Sequence, residues 1–412
     1  MFAQGIRTLL SLTLSIGLLS GVLAFDLSKK DNLAVYWGQN GAGSQQRLSF
    51  YCADDTIDII PLAFLYIFRG TGGQPVIDLG SQCSDWNAPV FSGTDLVKCP
   101  SQLISDIKTC QSKGKLITLS LGGGTGQVGF SSDSEAQTFA DTIWNEFLGG
   151  SSSTRPFGDA ILDGIDLDIE SGTPAHYAAF VNRIRSHASG ASKKYYITAA
   201  PQCPFPDANI GDALNAASFD AVFVQFYNNY CGLNHASDYN FGTWDNWAKT
   251  KSANKNVKVF IGAPGNKDAA GEGYVDAGTL ANYAKTAVQQ YSSFGGVMLW
   301  DADTAYTNNR YDKAIKTAMT ANAKKINPSF AHNSNTPATS TLASAGHASP
   351  SASVHSTTVV HPTVPATTPR PKPTGTQEKS SAAPEPEKAP HEVLHKEPRD
   401  AKPRVNSRFF RF

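Results

Sequence analysis

Eight short β-like runs punctuate the chain between Leu33 and about Ala323, and their alternation with helical stretches constrains the fold more than any other feature. The runs are Leu33–Trp37, Ile57–Phe64, Leu116–Leu121, Ile161–Ile169, Tyr195–Ala200, Ala221–Tyr227, Val257–Ala263 and Gly296–Trp300. Apolar residues recur at helical spacing between and after them, as in Glu135–Phe147, His176–His187, Ala277–Tyr291 and Tyr311–Ala321. Such alternation predicts a closed (β/α)8, or TIM, barrel, for which roughly 250 residues is typical. Residues 25–328 of the 412 are therefore read as one barrel domain between flanking segments. Chemistry in such barrels sits at the C-terminal strand ends. Asp168, Glu170, Gln225, Tyr227 and Trp300 all end runs, so they are expected to share one mouth.

The fourth run contains Leu162-Asp-Gly-Ile-Asp-Leu-Asp-Ile-Glu170. Side chains on a strand alternate, so Asp166, Asp168 and Glu170 point to one face and Ile165, Leu167 and Ile169 to the other. Three like charges in line cost stability and call for a reason. Crowded carboxylates do not all ionise together, so one is expected to hold a proton near neutral pH, as a general acid must. The plain alternative is a solvated acidic edge or a cation site. Asp163 has the opposite strand parity to Asp166 and is read as structural.

Asp163 to Glu170 meets the pattern Asp-Gly-x-Asp-x-Asp-x-Glu in full, and through it the chain resembles glycoside hydrolase family 18. Leu33-Ala-Val-Tyr-Trp-Gly-Gln-Asn40, Leu119-Ser-Leu-Gly-Gly123, Ala199-Ala-Pro-Gln-Cys-Pro-Phe-Pro206, Val224-Gln-Phe-Tyr-Asn-Asn229 and Gly295-Gly-Val-Met-Leu-Trp300 are similar, in order, to segments of the plant-type (class III, hevamine-like) chitinases of that family. A fungal member is expected. The resemblance implies hydrolysis of β-1,4 links between N-acetylglucosamine units of chitin, with retention, by the substrate-assisted route that is an exception among retaining enzymes. It implies that Glu170 protonates the leaving oxygen, that Asp168 orients the substrate acetamide, and that Tyr227 donates a hydrogen bond to the acetamide carbonyl. Asp166, one strand pair deeper, is expected to share a proton with Asp168. Trp300 is expected to form an apolar floor, with Tyr36, Gln225 and Asn228 as polar contacts and Phe64 and Gly123 also at the substrate. Taken alone, Tyr227 and Trp300 read equally well as barrel packing, and the neighbouring acids decide for function. Lectins and glycosidase inhibitors share this barrel, and endo-β-N-acetylglucosaminidase or lysozyme activity is a third reading. Glu170 discriminates, because non-catalytic relatives typically lose the acid.

Met1–Ala24, with a lone Arg7, an apolar stretch from Leu9 to Leu23 and the small-residue site Val22-Leu23-Ala24, reads as a secretory signal peptide. Six cysteines in an exported chain suggest disulfides. Cys52 and Cys110 fall near the ends of the first two expected helices, Cys83 and Cys99 share one loop, and Cys203 and Cys231 follow consecutive strands. The resemblance implies those same three pairs. No metal or cofactor is expected, since CxxC and HExxH spacings are absent and only His176, His187 and His235 lie outside the tail. With 35 basic and 35 acidic residues the chain has no basic footprint for nucleic acid. Neither a membrane span nor a GPI anchor is expected. Residues 329–412 are rich in Ser, Thr and Pro and then in mixed charge, and read as a disordered tail whose first part is an O-glycosylated stalk. The expected protein is a secreted monomer, extracellular or associated with the cell wall, whose partner is chitin or its oligomers. Gly124-Thr-Gly126-Gln-Val-Gly129 matches GxGxxG, but a lone fingerprint in an exported barrel is a weak nucleotide signal. Gly122 to Gly124 are read instead as keeping the third barrel loop small, so that a sugar approaches the backbone.

Overall fold

The computed structural model describes residues 25–326, and the signal peptide and tail assignments lie outside the described residues. Eight parallel strands close into a barrel: β1 (Asn32–Val35), β2 (Ile59–Ile67), β4 (Leu116–Gly122), β5 (Gly164–Asp168), β6 (Tyr196–Ala199), β7 (Ala221–Gln225), β8 (Lys258–Pro264) and β9 (Phe294–Trp300). Pairing of β1 with both β2 and β9 closes it. The short β3 (Val76–Ile77) runs antiparallel to β2 outside the barrel count. Around it lie α1 (Leu48–Tyr51), α2 (Ser101–Ser112), α3 (Asp133–Phe147), α4 (Tyr177–Ala188), α5 (Gly211–Ala216), α6 (Phe241–Thr250), α7 (Ala277–Gln290), α8 (Ala302–Thr307) and α9 (Tyr311–Ile326).

Strand alternation sorts the apolar residues into two layers. Leu33, Val35, Ile117, Leu119, Ile165, Leu167, Val222 and Val224 face outward and are covered by the helices. Ala34, Ala63, Phe223, Phe260 and Met298 fill the barrel interior. Helix α3 shows how the outer layer is made. Its Ala136, Phe139, Ala140, Ile143, Trp144 and Phe147 are buried on one face, the stripe that a 3.6-residue period produces. Ser132 caps it by accepting from the Glu135 N–H at 3.2 Å, a bond of the kind that contributes about 1 kcal/mol.

The expected fourth strand is the one that shortens most. The run Ile161–Ile169 narrows to Gly164–Asp168, because the Asp163 carboxylate takes the Ile117 N–H at 2.9 Å and Lys193 Nζ at 2.8 Å, and so pins the strand entrance. The disulfides join Cys52 to Cys110, Cys83 to Cys99 and Cys203 to Cys231, with Cα separations of 5.5, 5.3 and 5.9 Å.

Candidate active site

Because Ile165 and Leu167 pack outward, the alternation of β5 turns Asp166 and Asp168 into the barrel. Register then supplies their partners. Ser120 on β4 and Thr198 on β6 both pair with Asp166 across the ladder, and their hydroxyls donate to its carboxylate at 2.7 and 2.6 Å. The Tyr36 hydroxyl, just after β1, donates at 2.7 Å. Burial pushes the Asp166 carboxyl up, and the three hydroxyls pull it part of the way back. Ser120 and Thr198 escaped the sequence reading. Their signal was a hydroxyl on the inward face of an apolar strand, legible only once the register with Asp166 is known.

Asp168 is 3% exposed and accepts from Gln225 Nε2 at 2.8 Å. Gln225 is oriented by a second bond to the Ala200 carbonyl at 3.0 Å. Asp168 also lies within hydrogen-bonding reach of Glu170, two residues beyond it. Burial first, and the neighbouring Glu170 charge second, hold Asp168 well above the usual carboxylate range. Burial raises Glu170 as well, against bonds from Gln225 and Asp168 that oppose it. The sequence argument for a held proton rested on charge crowding, whereas burial is the larger cause. Asp166 is met by three hydroxyls, and its charge raises Asp168 after burial and the Glu170 charge, while the Asp168 side chain lies within reach of Glu170.

Tyr227, buried after β7, is kept neutral and therefore a donor by burial and then by the charges of Asp168 and Glu170. Phe64, within β2, and Trp300, at the end of β9, stack with centroids 5.6 Å apart and planes 20° from parallel, forming one apolar wall. Gly123 serves that wall. Its φ is +80°, and a Cβ there would meet the Phe64 ring at 2.7 Å. A Cβ on Gly122 would meet the Asp168 carbonyl at 2.2 Å. Gly122 and Gly123 thus make room for the β5 backbone and Phe64.

Tyr36 and Asn228 each have a role within the protein itself. Tyr36 is 1% exposed and its hydroxyl donates to Asp166, so it holds that acid from below. Asn228 adopts a φ of +57° and accepts from the Gly271 and Glu272 N–H groups at 2.8 and 3.1 Å. Its carbonyl oxygen fastens the loop after β8. Asp207, which the sequence reading also missed, accepts from Gln202, Asn209 and Ile210 N–H at 2.7–2.8 Å. Its charge raises both Asp168 and Glu170.

The model of glycosyl hydrolases family 18 matches residues 32–270, and the chain belongs to that family. It is 49% identical over 313 residues to a protein of Rhizopus oligosporus named chitinase 2, a match covering 75% of this chain and 56% of that one. The chain thus spans little more than half the length of that relative. Among solved structures, a chitinase from Ipomoea carnea aligns with a TM-score of 0.60 at 35% identity, over 70% of this chain and 99% of that chain. A xylanase and alpha-amylase inhibitor protein from Scadoxus multiflorus aligns with a TM-score of 0.58 at 34% identity, over 69% of this chain and 97% of that chain.

Proposed function

We propose that the chain is a secreted chitinase that cleaves β-1,4 links between N-acetylglucosamine units with retention, the acetamide of the substrate acting as nucleophile. One observation carries the reading: Asp168 and the partly exposed Glu170 stand side by side at the end of β5, both held above the usual carboxylate range chiefly by burial, beside the buried phenol of Tyr227. Glu170 gives its proton to the glycosidic oxygen as that bond to the anomeric carbon breaks. The acetamide carbonyl oxygen bonds to the same carbon from the opposite side, giving an oxazolinium ion. Asp168 turns from Glu170 to the acetamide N–H, and Tyr227 donates to the carbonyl oxygen. Water then bonds to the anomeric carbon from the side that the leaving group vacated as the acetamide oxygen leaves that carbon, Glu170 takes the water's proton, and the β configuration returns. Phe64 and Trp300 support the apolar face of the reacting sugar. The first 24 residues direct export, and the Ser/Thr/Pro-rich first part of residues 329–412 carries O-linked sugars at or near a cell wall. A barrel that only bound sugar would leave the raised acid pair without a task.

Glu170→Gln keeps shape and removes the transferable proton, so turnover of a soluble chitin oligomer falls by about two to four orders of magnitude while binding persists. A near wild-type rate overturns the assignment. The first product seen by proton NMR is the β-anomer, and early release of mainly the α-anomer excludes the acetamide route.

A further inference from the structure

Trp86 and Tyr230 are the two most exposed large apolar side chains among the described residues, at 67% and 63%. Single exposed aromatics are common and need no account. Their placement is what points to a use.

Trp86 lies within the turn Ser84–Asn87, closed by the Asn87 N–H on the Ser84 carbonyl at 3.1 Å. The Ser84 hydroxyl donates to Asp78 at 2.7 Å, and Asp78 exchanges two backbone hydrogen bonds, at 2.9 and 3.0 Å, with Phe64 of the apolar wall. Cys83, just before the turn, is tied to Cys99. Tyr230 lies within the turn Asn229–Gly232, closed at 2.9 Å. Asn229 Nδ2 donates to the Tyr227 carbonyl and to Gln202, each at 3.2 Å, and the adjacent Cys231 is tied to Cys203. Each aromatic therefore rides on a turn pinned to a residue of the acid site and locked by a neighbouring disulfide. Little ordering entropy is left to lose on binding.

Trp86 belongs to the connection after β2 and Tyr230 to the connection after β7. Around the closed barrel three strands separate β2 from β7 by either route, so the two connections face each other across the mouth. We infer that Trp86 and Tyr230 are outlying sugar platforms at opposite ends of a track that carries a long β-linked N-acetylglucosamine chain over Glu170. In such a chain the ring substituents are equatorial, so each ring offers a flat face of C–H groups that stacks on an aromatic side chain. This rests on the function proposed above, and its test is kept separable.

The experiment compares Trp86→Ala, Trp86→Phe and Tyr230→Ala with wild type on the trimer and the hexamer of N-acetylglucosamine. Each alanine variant is expected to raise KM for the hexamer about three- to tenfold, the effect of one lost aromatic contact, and to raise it less for the trimer. Trp86→Phe is expected to recover most of the loss. An equal change on both oligomers, or none, overturns the track. Calorimetric titration with the hexamer, in wild type and in the Glu170→Gln background, reads the same contact without turnover. An unchanged Kd in Trp86→Ala and Tyr230→Ala rejects the platforms whether or not the chain hydrolyses chitin, whereas a wild type that binds the hexamer without cleaving it rejects the proposed function alone.

Discussion

Asp207 shows how much a single side chain outside the acid motif governs. Three backbone N–H groups fix its carboxylate. One of those donors is Gln202, which bridges to Gln225, the residue that bonds Asp168. Burial is the main cause that raises Glu170, and the Asp207 charge adds to it, so Asp207 widens the pH range over which Glu170 keeps a proton. Removing the charge in Asp207→Asn lowers the Glu170 pKa, and the protonated acid is then lost at a lower pH. The alkaline limb of the kcat/KM profile accordingly moves acidward. A purely structural role would lower the rate at every pH and leave the limb in place, so the profile distinguishes the two. Asp166, Asp168 and Glu170 were legible as a set because strand parity is a local property. Asp207 was not, since it reaches the acids through a loop whose path no periodicity encodes.

The elements were legible to the extent that periodicity extends through them. Helix α3 and strand β4 lie within two residues of their expected limits because an uninterrupted apolar pattern spans them. The ends of β5 were not, because Asp163 and Glu170 look like strand residues in sequence while their bonds put them outside the ladder. Near the C-terminus of α3, Glu146 makes a separate prediction. It is 3% exposed, accepts from Thr154 at 2.8 Å through one carboxyl oxygen, and leaves the other without a partner. Burial pushes its carboxyl up to about 7 from 4.5. The neutral form is therefore favoured by folding, and this contribution to stability is present below pH 4.5 and lost as the pH rises to 7. The loss is on the order of 2 to 3 kcal/mol. In Glu146→Gln nothing titrates, so the stability difference between pH 4 and pH 8 in urea unfolding is expected to shrink by about that amount. An unchanged pH dependence would mean that Glu146 is ionised inside the fold.

At the scale of the whole molecule, the barrel alone is predicted to carry the chemistry. Every residue assigned to the site lies between Tyr36 and Trp300, well inside the described chain. A protein ending at Pro328 is expected to hydrolyse a soluble oligomer with kcat and KM within error of the full chain, checked by steady-state kinetics. Loss of that activity in a truncated protein that stays folded by circular dichroism would assign the tail a part in the cleft. The closed barrel was legible because eight strand runs alternate with helical stretches, the pattern of a (β/α)8 barrel, whereas the contact of Asn228 with the loop after β8 was not. Glu170 stands outside β5, while Asp166 is bound by hydroxyls from three neighbouring segments. Architecture and reactivity are thus attached to different acids of one motif. A lineage that exchanged Glu170 would lose cleavage in a single mutational step and keep a stable body with its surface loops intact, so evolution can convert this scaffold from a cutting tool into a recognition protein without first passing through an unfolded ancestor.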